Sequence, residues 1–128
     1  MQRVVPVLGV ADLARAQQRF YTESLGFETD WVRQPDAAAP AFAQLSRGGL
    51  SLCLSQAPGA GSHGASSVYL YVDDVDAWHA ELTSRGVALD PAPVSQAWGN
   101  RELVVRDTDG NRLTLATPRI DATDSDAI

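Results

Sequence analysis

The stretch WGNRELVVRDTDGNRLTLATP, residues 98–118, predicts two β-strands joined by a tight turn. Apolar residues alternate on both sides of residues 107–111, and the Asp-Gly pair in that turn is a strong hairpin signal. The alternating apolar residues are Leu103, Val105, Leu113 and Leu115. The opposite face carries Glu102, Val104, Arg106, Arg112, Thr114 and Ala116. This second set is too polar for a core, so we expect it to face a ligand.

The hairpin ends a unit that occurs twice in the chain. The segment VADLARAQQRFYTESLGFE, from Val10, resembles VDDVDAWHAELTSRGVALD, from Val72. Each contains an aspartate suited to cap a helix, Asp12 or Asp74, and a glycine suited to end it, Gly26 or Gly86. Downstream, residues 49–58 resemble residues 110–118. The repeated unit is therefore predicted to be β-α-β-β-β.

Two such units in tandem predict an α+β fold, a curved mixed sheet with helices on its outside. We expect strands near residues 3–10, 27–33, 41–46, 49–55, 66–73, 91–96, 101–107 and 111–117. One domain should span residues 1–118, with repeat units at about 3–57 and 66–118. Residues 58–67, rich in Gly, Ala and Ser, are the expected linker, and residues 119–128 the expected flexible acidic tail.

Strand alternation separates a core face from a ligand face. The predicted core face comprises Pro6, Leu8, Val10, Val68, Leu70 and Val72, packed on Leu13, Phe20, Val75, Trp78 and Leu82 of the helices. The opposite face comprises Val5, Val7, Ser51, Cys53, Ser55, Ser67, Tyr69, Tyr71, Glu102, Arg106, Arg112 and Thr114. A concave wall with aromatic and a few polar side chains is typical of a ligand cavity. An interface with a partner subunit is the alternative.

Charge and composition narrow the classes of partner. The 128 residues carry a net charge of −6, and all 10 basic residues are arginine. Nucleic-acid binding requires clustered positive charge, so we expect no nucleic-acid partner. No apolar run is long enough to span a bilayer, and the N-terminus lacks the pattern of a signal peptide. We therefore expect no membrane association. One cysteine, Cys53, cannot form an internal disulfide, which favours the cytoplasm.

The motifs VPVLGVADLARAQQRFYTESLGFE, YVDDVDAWHAEL and WGNRELVVRDTDGN resemble the vicinal oxygen chelate superfamily, over residues 4–117. That superfamily includes glyoxalase I, extradiol dioxygenases, and fosfomycin and bleomycin resistance proteins. The resemblance implies His or Glu metal ligands on the first, fourth, fifth and eighth strands. Those positions hold Val5, Cys53, Ser67 and Thr114 here, and the two histidines, His63 and His79, fall in the linker and on a helix. We therefore expect no metal and no cofactor.

Among these proteins the chain is most similar to the metal-free bleomycin resistance branch, whose members sequester a drug in cavities between two subunits. The resemblance implies that Trp31 and Phe42 sandwich planar groups and that Tyr69 contributes to the wall. It also implies that residues 5–8 permit exchange of N-terminal arms in a homodimer. A longer loop at residues 33–41 and an added rim aromatic, Trp98, leave the drug open among bleomycin-, mitomycin- and enediyne-like compounds.

The predicted ligand-binding residues are Trp31, Phe42, Tyr69, Tyr71, Trp98, Glu102, Arg106, Arg112 and Thr114, and no catalytic residue is assigned. Two rival functions remain. A metal-independent isomerase or cyclase would use Glu102 as general base, with Arg106 or Arg112 holding an anion. A domain acting only through protein partners would fill the surface with its own side chains. Within the binding hypothesis, Glu102 favours cationic ligands.

Overall fold

The computed structural model describes residues 1–37, 41–56, 66–87, 89 and 92–119. Its strands are β1 (Val7–Gly9), β2 (Glu28–Arg33), β3 (Ala41–Arg47), β4 (Leu50–Gln56), β5 (Ser67–Tyr71), β6 (Val94–Ser95), β7 (Asn100–Arg106) and β8 (Arg112–Pro118). Helix α1 (Leu13–Arg15) continues as a π-helical segment (Ala16–Ser24), and α2 spans Val75–Ser84. The order confirms the predicted α+β fold of two β-α-β-β-β units.

The first four strands form one mixed sheet, in the order β1-β4-β3-β2. Strand β1 runs parallel to β4 and pairs Val7 with Cys53, whereas β3 is antiparallel to both of its neighbours. The register between β2 and β3 shifts between Thr29 and Trp31, which is a β-bulge. A bulge turns the strand locally and re-aims the side chains that follow it, so Trp31 and Arg33 leave the regular alternation at this edge.

The last four strands form a second sheet, in the order β5-β8-β7-β6. Strand β6 pairs antiparallel with β7, placing Val94 opposite Glu102. Thr117 joins the helix to this sheet, because its hydroxyl accepts from the Val75 amide at 2.9 Å and donates to the Val72 carbonyl at 3.0 Å. The two-residue β6 leaves a short edge beside the strand that carries Glu102.

The chain divides into two compact units that do not follow the repeat boundaries. The first unit contains Met1–Val68 and Arg106–Arg112; the second contains Tyr69–Val105 and the described residues from 113 onward. The turn of the second hairpin therefore packs with the first repeat. Two of its side chains explain this packing, since Asp107 accepts from Tyr21 and Asn111 donates to the Gly9 carbonyl.

Both helix starts and both helix ends confirm the predicted roles of the capping residues. Asp12 accepts from the Arg15 amide, and Asp74 accepts from the two amides that follow the first residue of α2. Gly26 and Gly86 have φ angles of 77° and 82°. Left-handed backbone of this kind ends a helix and strongly favours glycine.

The π-helical segment corrects the prediction of the first core contacts. Its hydrogen bonds link residues five apart, as from the Leu25 amide to the Phe20 carbonyl at 2.9 Å, so residues five apart share a face. Ala16 and Tyr21 are accordingly both buried, and Phe20 is only half-buried. The match between the two repeated segments, which sets Phe20 against Leu82, had selected Phe20 as the core residue in place of Tyr21.

The other predicted core residues are confirmed with three exceptions. Leu8, Val10, Leu13, Leu70, Val72, Val75 and Leu82 are buried, whereas Pro6, Val68 and Trp78 are half-buried. Strand β1 is shorter than the predicted 3–10, and β6 is shorter than 91–96. Ser67 begins β5 and is not linker. Most of residues 58–67, with His63, and of residues 119–128 lie outside the described residues. Among the described residues, no helix is long and apolar enough to cross a membrane.

Candidate functional site

An aromatic stack lies at the edge of the first sheet. The rings of Trp31 and Phe42 are 5.6 Å apart between centroids, with 28° between their planes. The Arg33 guanidinium lies 4.9 Å from the Trp31 ring centroid. The pairing of Arg33 with Phe42 across β2 and β3, together with the bulge before Trp31, brings the three side chains together. Both rings are half-buried, so each retains accessible surface.

A polar row lies in the same unit. Asp30 accepts from the Ser46 hydroxyl at 2.6 Å and from the Gln44 amide at 3.0 Å, and these hydrogen bonds lower the pKa of its carboxyl group. Gln44 is paired with Cys53 in the sheet, and its Oε1 atom is 4.0 Å from the Cys53 Sγ atom. Burial raises the pKa of the Cys53 thiol. The thiol is therefore protonated at neutral pH, and a protonated thiol is a poor metal ligand.

A second cluster of aromatic side chains surrounds Glu102 in the other unit. The Tyr69 hydroxyl donates to Glu102 Oε2 at 2.5 Å, and the Trp98 indole Nε1 donates to the same oxygen at 2.8 Å. Asn100 Nδ2 donates to the Tyr69 hydroxyl at 2.8 Å. Tyr71 packs edge-on against Tyr69, with 5.4 Å between ring centroids. We call these five residues the Glu102 cluster.

The cluster combines a buried carboxylate with exposed rings. Glu102 is 8% exposed, whereas Tyr69, Tyr71 and Trp98 are 43%, 61% and 67% exposed. Desolvation, followed by the hydrogen bond to Glu102, raises the pKa of the Tyr69 phenol. The phenol therefore stays protonated and keeps donating to Glu102 at neutral pH. Large exposed aromatic surface beside a fixed polar group is typical of a binding site.

The four positions that the resemblance assigns to metal ligands hold unsuitable side chains. Val5 is half-buried and apolar, Cys53 and Thr114 are buried, and Ser67 is exposed. His79 lies on α2. Over the described ranges, no three His, Cys, Asp or Glu side chains converge on one point. These residue types do not supply the imidazole or carboxylate ligands that a divalent ion requires.

The remaining predicted site residues have different environments. Arg106 and Arg112 are exposed and belong to the unit that contains Trp31, whereas Thr114 is buried in the unit that contains Glu102. Ala116, on the same predicted face as Thr114, is fully buried. The prediction that this strand face is too polar for a core is wrong for Thr114 and Ala116, because a hydroxyl and a methyl group are small enough to pack in one.

A buried polar network in the first unit was not predicted from the sequence. The Tyr21 hydroxyl donates to Asp107 Oδ2 at 2.7 Å, and Asn111 Nδ2 donates to the same oxygen at 2.8 Å. Asp107 Oδ1 accepts from the amides of Asp109 and Asn111. Burial and the neighbouring Asp107 carboxylate raise the pKa of Tyr21. The signal for Asp107 and Asn111 was their place at the two ends of the turn; nothing in the sequence pointed to Tyr21.

A cavity of about 290 Å³ lies beside the first turn of α1, lined by Ala11, Asp12, Arg15, Ala16, Thr108 and Asp109. The two carboxylates that line this cavity already accept hydrogen bonds from backbone amides. Asp12 caps the helix, and Asp109 accepts from the Ala11 amide at 3.0 Å. This cavity is therefore explained by how the turn of the second hairpin docks on the first helix.

The fold and the residue types in these clusters define the class of protein. The described strands and helices form tandem β-α-β-β-β units, and the four positions that the resemblance assigns to metal ligands hold Val5, Cys53, Ser67 and Thr114. The chain belongs to the glyoxalase superfamily, because the family model described as glyoxalase superfamily protein matches residues 1–122. Comparison with curated protein sequences gave no match.

The chain is also similar to solved structures of antibiotic-binding and bleomycin resistance proteins. It is similar to TnmS3, an antibiotic binding protein from Streptomyces sp. CB03234, with 31% identity over 92% of this chain and 97% of that one (TM-score 0.75). It is also similar to a bleomycin resistance determinant encoded on the transposon Tn5 (25% identity, 94% and 100% coverage, TM-score 0.77). A third similar structure is that of the bleomycin-binding protein of Streptomyces verticillus complexed with copper(II)-bleomycin (28% identity over 94% of this chain and 98% of that one, TM-score 0.71).

Proposed function

We propose that this protein binds and sequesters a planar aromatic antibiotic, of bleomycin-, mitomycin- or enediyne-like type, without changing it chemically. The observation that carries the proposal is the pair of accessible aromatic surfaces, the Trp31–Phe42 stack and the Glu102 cluster. The similarity to TnmS3 and to two bleomycin-binding or resistance proteins supports it. The ligand contacts that we propose are residues predicted from sequence, taken in each compact unit by itself: Trp31, Phe42, Arg106 and Arg112 in the first, and Tyr69, Tyr71, Trp98 and Glu102 in the second. Thr114 was also predicted as a contact, but it is buried and is left out.

Stacking on Trp31 is the central contact of the proposed site. One face of this ring lies against Phe42, and the Arg33 guanidinium lies over the ring within cation–π distance. A planar ligand ring can replace the guanidinium, because an exposed cation–π contact contributes only about 0.5–1 kcal/mol. A ligand ring that stacks on Trp31 contributes about 0.5–1.5 kcal/mol from the stacking itself, and the apolar area that it buries adds further stabilisation. The exchange therefore favours a bound ring over Arg33.

We also propose that the protein works as a cytoplasmic homodimer, without catalytic residue, metal or cofactor. Exposed apolar residues in the N-terminal segment, among them Val4 and Val7, support dimer formation with exchange of the N-terminal arms. The single cysteine supports a reducing compartment. Val5, Cys53, Ser67 and Thr114 at the four metal-ligand positions, with a raised pKa at Cys53, support metal-independent binding.

The experiment is calorimetric titration of the protein with metal-free bleomycin and with mitomycin, followed by mass spectrometry of the recovered ligand. We expect binding of at least one compound with its mass unchanged. Truncating a buried aromatic anchor commonly costs about 2 kcal/mol or more, so Trp31→Ala should weaken that binding at least about tenfold. Circular dichroism should show an unchanged fold.

The matched control is Val32→Ala, which removes exposed apolar surface from the next residue of the same strand. It should leave affinity unchanged, because neighbouring strand residues point to opposite faces. Equal affinity in folded Trp31→Ala and the wild type would exclude the stack as a ligand contact. An altered ligand mass would exclude sequestration and favour an enzyme.

A further inference from the structure

The Glu102 carboxylate carries a charge that its described partners do not neutralise. Both of its described hydrogen bonds come from neutral groups, the Tyr69 hydroxyl and the Trp98 indole, and both end on Oε2. The adjacent Arg101 is bound elsewhere, with Nε and Nη2 each 2.9 Å from an Asp76 carboxylate oxygen. Strand alternation directs Arg101 and Glu102 to opposite faces of β7. The second oxygen, Oε1, therefore remains for another donor.

The Glu102 carboxylate is mostly buried but keeps one oxygen within reach of a ligand. Glu102 is only 8% exposed, and this low exposure weakens the solvation of its charge, which two neutral hydrogen bonds replace only in part. Oε1 is not among the buried side-chain atoms that lack a hydrogen-bond partner, so it can be reached from outside. A cation that reaches Oε1 would supply the missing charge, through a charge-assisted hydrogen bond of roughly twice the strength of a neutral one. The chain's net charge of −6 attracts cations further.

Three exposed aromatic side chains lie around the Glu102 carboxylate and can attract a cation. Tyr69, Tyr71 and Trp98 are the three exposed aromatic side chains of the cluster, and aromatic faces attract cations through their negative quadrupole. The Trp98 ring is held by its bond to Glu102, and the Tyr69 hydroxyl by its bonds to Glu102 and Asn100. The positions of these groups are thus fixed before a ligand arrives, which lowers the entropy cost of binding.

We propose that the Glu102 cluster is a subsite for a cationic nitrogen attached to a planar ring, such as an amidinium, a guanidinium or a protonated aryl amine. Glu102 Oε1 accepts a hydrogen bond from the cation while Tyr69, Tyr71 and Trp98 contact its faces and the attached ring. This inference rests on the proposed function and deepens it, because it selects cationic members among planar aromatic ligands.

The test compares benzamidine, a planar cation at neutral pH, with benzamide, its neutral analogue of nearly equal shape. Both are titrated into the full-length protein while the Trp98 indole N–H resonance is followed by NMR, assigned by its loss in Trp98→Phe. We expect a saturable shift of this resonance with benzamidine, and affinity for benzamide at least about tenfold weaker, the step that corresponds to 1.4 kcal/mol.

The deciding variant is Glu102→Gln, which keeps an acceptor for Tyr69 and Trp98 but removes the charge. This variant should bind benzamidine at least about tenfold more weakly than the wild type, and its affinity for benzamide should change less than about twofold. The matched control is Glu28→Gln, because Glu28 is an exposed glutamate at the start of β2. Glu28→Gln removes one negative charge as well and should leave benzamidine binding unchanged. The comparison separates a direct contact with Glu102 from a general attraction of the cation by the net charge of the protein.

Any one of the following results would overturn the proposal. They are no saturable shift with benzamidine up to its solubility limit, equal affinity for benzamide, equal weakening by Glu28→Gln, or wild-type affinity in Glu102→Gln. A shift of the Trp98 resonance on dilution alone would assign the surface to a second copy of the chain and overturn it too. Its failure is distinguishable from failure of the proposed function, since bleomycin or mitomycin binding that depends on Trp31 would persist.

Discussion

Tyr21 and Asp107 show how a single buried hydrogen bond joins parts of the sequence 86 residues apart. Both groups are buried, so neither can exchange its partner for water. Asp107 is otherwise held by Asn111 and by amides of its own turn. The Tyr21 bond is therefore the side-chain link that ties this turn to the π-helical segment.

Tyr21→Phe should destabilise the protein while preserving its fold. The change removes one hydroxyl and leaves a buried acceptor short of one donor, which costs about 1–3 kcal/mol. Urea unfolding measures the difference in free energy. Tyr71→Phe is the control, because Tyr71 is largely exposed and its hydroxyl can bond to water. Equal stability of the two variants would contradict the importance assigned to the buried bond.

The Tyr21 hydroxyl should also make the free energy of unfolding depend on pH in alkaline solution. The pKa of Tyr21 is raised in the folded protein above its usual value of 10.0, by burial first and then by Asp107. The unfolded chain therefore releases this proton first, and the free energy of unfolding falls as pH rises above about 10. Urea unfolding across this range should show a shallower fall in Tyr21→Phe than in the wild type. Parallel curves would contradict the prediction.

Local sequence signals predicted the ends of the helices but not the helix type. Asp12, Asp74, Gly26 and Gly86 act through bonds or backbone angles within a few residues, so their roles can be recognised without the rest of the fold. The π-helical segment has no such signal. Its longer hydrogen-bonded rings bring Tyr21 to the buried face, where Asp107 provides a partner that local sequence does not reveal.

Gly86→Ala should destabilise helix α2 at its C-terminal end. The φ angle of Gly86 is 82°, and no atom lies within 4 Å of the position a Cβ would take, so the cost is that of left-handed backbone alone, about 1–2 kcal/mol. Gly49→Ala is the matched control. Gly49 has the same open space without a left-handed φ. Its replacement by alanine should leave the free energy of unfolding unchanged or raise it by about 0.4–1 kcal/mol. Thermal unfolding compares them, and equal midpoints would contradict the assignment.

At the scale of the whole molecule, the internal repeat allowed the fold to be predicted with more detail than the site. Each half supplied evidence for the other, and the described strands and helices follow one another in the order that the repeat predicted. The site depends on pairs that alternation does not specify. Trp31 and Phe42 were both predicted as ligand contacts, yet their stacking on each other follows from a bulge in β2. Glu102 was selected, but its bond to Tyr69 joins residues 33 apart.

The proposed dimer is supported by exposed apolar surface near the N-terminus. Val4 is 92% exposed, and the residues before β1 form no strand, although the Pro6 carbonyl accepts from the Cys53 amide at 2.8 Å. The chain thus pairs with β4 only from Pro6 onward. Edge strands with free backbone groups favour pairing with a second copy. An isologous contact that buries both arms would cover this apolar segment.

Light scattering coupled to size exclusion should therefore give a dimeric mass at micromolar concentration, and Val4→Asp should shift it toward the monomer. A charge placed in a buried apolar contact is expensive, because it must be desolvated without a partner. Val94→Asp is the control, since Val94 is an exposed valine on the β6 edge of the other sheet, and it should leave the dimer intact. A monomeric wild type would contradict the proposed homodimer. Dissociation by Val94→Asp alone would assign the interface to β6 and contradict arm exchange, because the arm would then contribute no buried contact.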